Sequence, residues 1–187
     1  MSAAWVVTAY AVPATITWLV VGLVLGVLPV AGIALAAAVA YGCYYGVVEV
    51  SGRRGLPPPG RRWQVPQTML IDASPRRRVL VWGAILGPGF LTRNPYGGFG
   101  ALLLVVAAMG GPLAGLTAGA AIGAAHGAAR AAALLRDVRE LRSLPAGPAA
   151  STHLDLLLST VRWRRWDGAA LLALAVIASV AAVGHFG

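Results

Sequence analysis

Two ionisable side chains, His126 and Arg130, interrupt a long glycine- and alanine-rich stretch of this sequence. They are four residues apart, so a helix would place both on one face as a polar stripe. An ionisable side chain in an apolar helix is costly and commonly marks a binding site or a pathway. The simpler alternative is a neutral histidine bonded to a neighbouring helix, with Arg130 extended toward the surface. Both residues are candidates for binding a small solute.

A second polar pair, Arg93 and Asn94, lies in the segment GPGFLTRNPYGGFG between two apolar runs. Asn94 precedes Pro95, and this order predicts a helix start, because asparagine caps free N–H groups and proline has none to lose. If the flanking helices form a re-entrant hairpin, its tip brings a cation, an amide and backbone N–H groups to membrane depth, which suits an anion. If they are two short spans, Arg93 is a solvated turn residue, and the lack of a nearby acidic partner favours this alternative.

The sequence offers little support for an enzyme. It contains no H-E-x-x-H, G-x-S-x-G or GxxxxGK[ST] motif and no paired aspartates for a magnesium diphosphate. Its single cysteine, Cys43, forms neither an internal disulfide nor a zinc motif. Asp72 and Asp155 fit solvated or capping positions, and Glu49 is expected near an interface in an ion pair with Arg53. We therefore expect no metal and no cofactor, and a non-enzyme is favoured over an intramembrane enzyme.

Membrane helices must position these residues. The chain of 187 residues is 58% hydrophobic and 11% charged, with a mean hydropathy of +0.75, far from the composition of soluble domains. Its basic residues are all arginine and flank the apolar segments, so the net charge of +9 points to membrane lipids as partners and not to nucleic acid. Residues 2–13 have neither a positively charged start nor a clear cleavage site, so the first helix is expected to stay. We expect a multi-pass protein of a bacterial plasma membrane.

The positions of proline, glycine and arginine indicate where helices begin and end. They predict an all-α polytopic integral membrane protein with about six transmembrane helices in one domain. The connections 51–75 and 137–165 are basic. Pro112 starts a helix that extends past Ala133 into an amphipathic segment. Ser151 is expected to cap a surface helix, separate from a last span that follows RWRRWDG. The expected helices cover 3–28, 29–50, 76–91, 95–111, the stretch from 112 to beyond 133, and 168–183.

The order of these helices predicts two related halves, residues 1–94 and 95–187. PVAGIALAAAVAYG aligns with PLAGLTAGAAIGAA, and each half reads as helix, proline-started helix, basic connection and tryptophan-marked helix. Two halves of three helices each would be inverted relative to one another, as in many transporters. The arginine count opposes inversion, because seven arginines in 51–78 and six in 136–167 would then face opposite sides. Five crossings, one of them interrupted, form the alternative topology.

A glycine ladder marks the fifth helix, with one glycine at every fourth position: Gly111, Gly115, Gly119, Gly123 and Gly127. These glycines form a groove that another helix can approach closely. Packing within the chain is favoured over a seam between two copies. From these features we expect a small carrier or channel-like protein for an unidentified solute. The alternative is a membrane accessory or immunity subunit that docks a partner helix through the glycine groove.

Overall fold

Six α-helices lie in the described part of the chain, which confirms the all-helical prediction. The computed structural model describes residues 2–53, 55–56, 72–90, 97–143 and 150–186, with side chains throughout except in 140–161 and 184–186. In chain order the helices are α1 (Ala3–Val27), α2 (Ala31–Ser51), α3 (Pro75–Leu86), α4 (Gly98–Ala108), α5 (Pro112–Ser143) and α6 (Ala150–Phe186).

Three of the described helices are long and apolar enough to cross a membrane: α1, α2 and the part of α6 from Arg162 to Val183. The protein is therefore a membrane protein with transmembrane helices. The 12 residues of α3 and 11 residues of α4 correspond to about 18 and 16 Å, short of the roughly 30 Å hydrocarbon core. Of the six expected crossings, three thus have full membrane length and apolar character.

The helices form two compact units that alternate along the chain. Unit 1 contains α1, α3 and α5, and unit 2 contains α2, α4 and α6. Each unit takes helices from both sides of residue 94, so the units do not coincide with the sequence halves 1–94 and 95–187. The internal arrangement is the same in both. The first helix pairs with the third, and the short second helix packs against the first.

In unit 1, α1 and α5 run antiparallel with their backbones in contact. Gly26 lies against Gly111, and Gly22 lies against Gly115 and Gly119, so the α5 numbers fall as the α1 numbers rise. Glycine is needed at Gly22, Gly26, Gly115 and Gly119 because an added Cβ would overlap the facing carbonyl groups. Such close approach lets backbone Cα–H groups contact carbonyl oxygens and increases dispersion contacts between the helices.

The short helix α3 packs on α1 where proline alters the α1 backbone. Pro13 lies inside α1 and has no N–H to donate to the carbonyl of Ala9, four residues earlier. Gly83 of α3 lies directly against this carbonyl oxygen. Farther along, the indole Nε1 of the fully buried Trp18 donates a 3.1 Å hydrogen bond to the carbonyl of Pro88. These contacts fix α3 and the segment after it against α1.

In unit 2, α2 and α6 also form an antiparallel pair with close backbone contact. Gly42 lies against Leu171, and Gly46 lies against Gly168. The short α4 packs on this pair through Ala101, which joins Tyr45 and Leu171 in a buried apolar cluster. The unit thus brings the end of α2, the start of the α6 span and the start of α4 together.

Several helix bounds differ from the expected ones. Helix α3 ends at Leu86, not near residue 91, because the Gly87–Pro88–Gly89 segment turns the chain, with Gly89 at a φ of +83°. Helix α5 is continuous to Ser143 and includes the expected amphipathic extension.

The expected surface helix and last span are in fact one helix, α6, of 37 residues. It begins at Ala150, so Ser151 lies in its first turn. The RWRRWDG segment does not break it, because arginine and tryptophan mark depth in a membrane but are compatible with helical backbone.

Candidate functional site

A polar stripe runs along the α2 face that packs inside unit 2. Tyr41, Tyr45 and Glu49 are four residues apart, so they share this face. Glu49 is only 3% exposed. The start of the α6 span supplies Arg164 and Asp167, and α4 begins beside them at Gly98.

Glu49 pairs with Arg164. The guanidinium Nε donates a 2.6 Å hydrogen bond to Glu49 Oε2, and the two side chains are 36% and 3% exposed, respectively. A carboxylate buried to this degree requires such a charge-assisted partner. The prediction that Glu49 pairs with Arg53 was wrong. Gly52, at a φ of +66°, ends α2 in the left-handed conformation, so Arg53 is not one helical turn after Glu49.

The carboxylate of Asp167 caps the start of α4 from another helix. The N–H of Gly98 donates a 3.0 Å hydrogen bond to Asp167 Oδ2, and the backbone of Gly97 also bonds to this carboxylate. The first N–H groups of a helix have no partner within the helix, and a negative charge there complements the helix dipole. A Cβ at Gly98 would overlap the Asp167 carboxylate, so glycine permits this approach.

Two tyrosines of α2 hold the turn that leads into α4. The Tyr41 hydroxyl donates a 2.8 Å hydrogen bond to the carbonyl of Gly97. Gly97 also lies against the Tyr45 side chain, so that an added Cβ would be 3.2 Å from its Cγ. The rings of Tyr41 and Tyr45 contact each other, with centroids 4.4 Å apart. Backbone and aromatic groups together fix the position of this turn.

We call the set formed by Tyr41, Glu49, Gly98, Arg164 and Asp167 the α4 cluster. It combines two carboxylates, one guanidinium, one phenol and the N-terminus of a short helix within a single unit. These groups can donate and accept hydrogen bonds and can exchange internal partners for a small polar solute. Their chemistry suits reversible binding.

The structure brings together one of the two predicted polar pairs. His126 and Arg130 are both half-buried on α5 in unit 1. Tyr10, whose side chain is buried on α1, lies near Arg130. Arg93 and Asn94 lie outside the described residues.

The glycine ladder lies against α1. Gly119 and Gly123 face the carbonyls of Trp18 and Ala14, and Gly127 faces that of Tyr10. Gly115 contacts Gly22, and Gly111 precedes α5 at a φ of +79°. Within unit 1, α1 therefore fills the groove formed by the ladder.

Sequence reasoning missed most of the α4 cluster, including Tyr41, Arg164 and Asp167. The α2 part of the cluster could have been found from the sequence, because polar side chains occur at every fourth residue: Tyr41, Tyr45 and Glu49. A second missed signal is the Gly-x-x-x-Gly spacing on the first helix of each unit, at 22 and 26 in α1 and at 42 and 46 in α2. In both units these glycines contact the third helix.

No group of three or more metal-ligating side chains occurs among the described residues. Comparison of the chain with protein-family models, curated proteins and solved structures gives no match.

Proposed function

We propose that the chain is a multi-pass protein of a bacterial plasma membrane that acts as a carrier or channel-like protein for a small solute. The α4 cluster is the proposed binding site. One observation carries this proposal. Each of the two units has a short second helix with glycine at one end: Gly87 caps the end of α3 in unit 1, and Gly98 begins α4 in unit 2.

Short or interrupted helices at corresponding positions of two similar units are typical of secondary transporters. The ends of such helices leave backbone N–H and C=O groups free to bind solutes and ions at membrane depth. In α4, the backbone N–H of Gly98 donates its hydrogen bond to the carboxylate of Asp167. A solute with an acceptor group can take the place of this carboxylate, and a solute with a donor group can bind the carboxylate itself.

The buried charge in unit 2 further supports a binding role. Glu49 is near the end of a helix with the length and composition of a membrane span, and at 3% exposure its charge is costly because the protein buries it. Its partner Arg164 is 36% exposed, so one side of the pair lies at the surface of the protein. A site with one buried and one accessible charge suits a solute that enters from solution and exchanges partners.

The alternative function, a docking subunit, has less support. It required a free glycine groove, but α1 covers Gly115, Gly119, Gly123 and Gly127. A partner helix would have to displace α1 or bind at another surface.

The proposal can be tested with the full chain reconstituted in vesicles of phosphatidylethanolamine and phosphatidylglycerol. Flux is measured for three probes of different charge: glycerol, sodium ion and acetate. A Cys43→Ser background removes the native thiol. Ala101→Cys then adds a thiol beside the α4 cluster, since Ala101 packs on Tyr45. Ala178→Cys is the matched control, because this alanine is also buried, 4% exposed, but lies farther along α6.

We expect faster flux of at least one probe than in protein-free vesicles. A methanethiosulfonate reagent should block this flux in the Ala101→Cys protein and leave it unchanged in the Ala178→Cys protein. Equal flux with and without protein for all three probes contradicts the proposal, as does flux that neither thiol modification changes.

A further inference from the structure

The start of the α6 span has two distinct sides. Arg164 and Asp167 face α2 and α4 through the contacts of the α4 cluster. Arg162 and Arg165 are exposed, and Trp163 and Trp166 are 52% and 63% exposed. At 3.6 residues per turn, these four exposed side chains fall within an arc of about 160° on the opposite side of the helix.

The same outer side continues as an aliphatic stripe. Val176, Ile177, Val180 and Val183 are 63–75% exposed and fall on the same arc as the two exposed arginines. At 1.5 Å per residue, the stripe begins about 15 Å beyond Trp166 and ends about 27 Å beyond Arg165. The distance from Arg165 to the end of the stripe is close to the roughly 30 Å thickness of a hydrocarbon core. The outer side of α6 is thus cationic and aromatic at one end and aliphatic over the rest.

The charge on this side is not cancelled by the pairing inside unit 2. Glu49 bonds to Arg164 and Asp167 bonds to the start of α4, so both carboxylates point away from Arg162 and Arg165. Tryptophan prefers the headgroup level of a bilayer, and arginine beside it attracts lipid phosphate. The position and the charge of these four side chains therefore fit an anionic lipid headgroup.

We propose that the outer side of α6 binds an anionic phospholipid along its length. Arg162 and Arg165 bind the phosphate of the headgroup, and Trp163 and Trp166 pack at the level of the glycerol backbone. The acyl chains lie along the exposed Ala169 and Ala173 and reach Val176, about 15 Å beyond Trp166, which is half of the core thickness. This proposal does not depend on solute transport, because it uses the side of α6 opposite the α4 cluster.

The test measures lipid selectivity of the full chain reconstituted in phosphatidylcholine vesicles. Electron paramagnetic resonance of chain-labelled phosphatidylglycerol and phosphatidylcholine gives the fraction of each lipid held at the protein. The variant Arg162→Gln/Arg165→Gln removes both outward charges. Arg76→Gln/Arg77→Gln removes two exposed charges from the first turn of α3 and is the matched control. The variant Arg162→Lys/Arg165→Lys keeps the charge.

We expect the wild-type chain to prefer phosphatidylglycerol, and the preference to fall about fivefold or more in the Arg162→Gln/Arg165→Gln variant. The lysine variant and the α3 control should retain most of it. In 1 M NaCl the wild-type preference should largely disappear, because the Debye length is then about 3 Å. This salt measurement needs no variant, so it tests the proposal even if the glutamine variant misfolds.

Three results would overturn the proposal. The first is equal binding of the two lipids by the wild-type chain. The second is an equal loss of preference in the α6 and α3 glutamine variants, which would indicate only an effect of total charge. The third is a wild-type preference that 1 M NaCl leaves intact.

Discussion

The carboxylate of Glu49, on α2, accepts a 2.6 Å hydrogen bond from the guanidinium of Arg164, on α6. Glu49 is the only buried charged side chain among the described residues, and Arg164 is 36% exposed. The pair is therefore asymmetric. Without Arg164, the carboxylate of Glu49 would stay buried and lose this hydrogen bond, whereas without Glu49 the guanidinium of Arg164 would still lie at the protein surface.

This asymmetry predicts unequal effects of two single substitutions. Arg164→Gln should lower the free energy of unfolding by about 3 kcal/mol, because it leaves a buried carboxylate without its cation. Glu49→Gln should cost only about 1 kcal/mol, because the amide oxygen still accepts a hydrogen bond. Unfolding in detergent micelles, followed by tryptophan fluorescence, measures both values. A larger loss for Glu49→Gln than for Arg164→Gln would contradict the burial argument.

Asp167 should stabilise the first turn of α4. Asp167→Ala removes the acceptor of the Gly98 N–H and should destabilise this turn by about 1 kcal/mol, the usual cost of losing a helix cap. Asp167→Asn retains an acceptor oxygen and should have a smaller effect. Hydrogen exchange at residues 97–100 provides the measurement. Unchanged exchange in the alanine variant would show that Asp167 does not cap α4.

The glycine ladder should tolerate no side chain on the side that faces α1. Gly119→Ala places a Cβ on the carbonyl of Trp18 and should destabilise the protein by about 1–3 kcal/mol through overpacking. Ala121→Leu adds more volume on an exposed side of α5 and should change stability by less than about 0.5 kcal/mol. Thermal unfolding in detergent compares the two. Equal stability of both variants would rule out the close α1–α5 contact.

The all-helical, membrane-embedded character of the chain could be predicted because it depends on local features. Runs of apolar residues fix the helices, and Pro112 fixes the start of α5 after two glycines with positive φ. The four-residue spacing of the ladder likewise indicates close helix packing, whichever helix fills the groove.

The choice of partner helix could not be predicted, because it depends on contacts between distant parts of the chain. Nothing near Glu49 indicates that its cation lies 115 residues away. The sequence comparison joined neighbouring helices into halves, but the compact units join alternate helices. Composition also led to the prediction of a break that α6 does not contain, because Arg162 and Trp166 indicate membrane depth and not the end of a helix.

Gly83 should be essential for the contact between α3 and α1. Gly83→Ala places a Cβ on the Ala9 carbonyl, which Pro13 leaves without its usual helical donor. We expect faster hydrogen exchange along residues 75–86 in this variant, because α3 must move away from α1. Ala84→Ser changes the neighbouring exposed position and should leave exchange unchanged. Normal protection of α3 in the Gly83→Ala protein would contradict the close contact.

The central claim is that the α4 cluster is a solute site that water reaches from both sides of the membrane. Two-sided thiol accessibility tests this claim without knowledge of the solute. The Cys43→Ser protein with Ala101→Cys is treated with a membrane-impermeant methanethiosulfonate in right-side-out and in inverted vesicles, with Ala178→Cys as the control. The account predicts modification at position 101 from both sides and protection at position 178. Modification at position 101 from one side alone, or from neither, would contradict the claim.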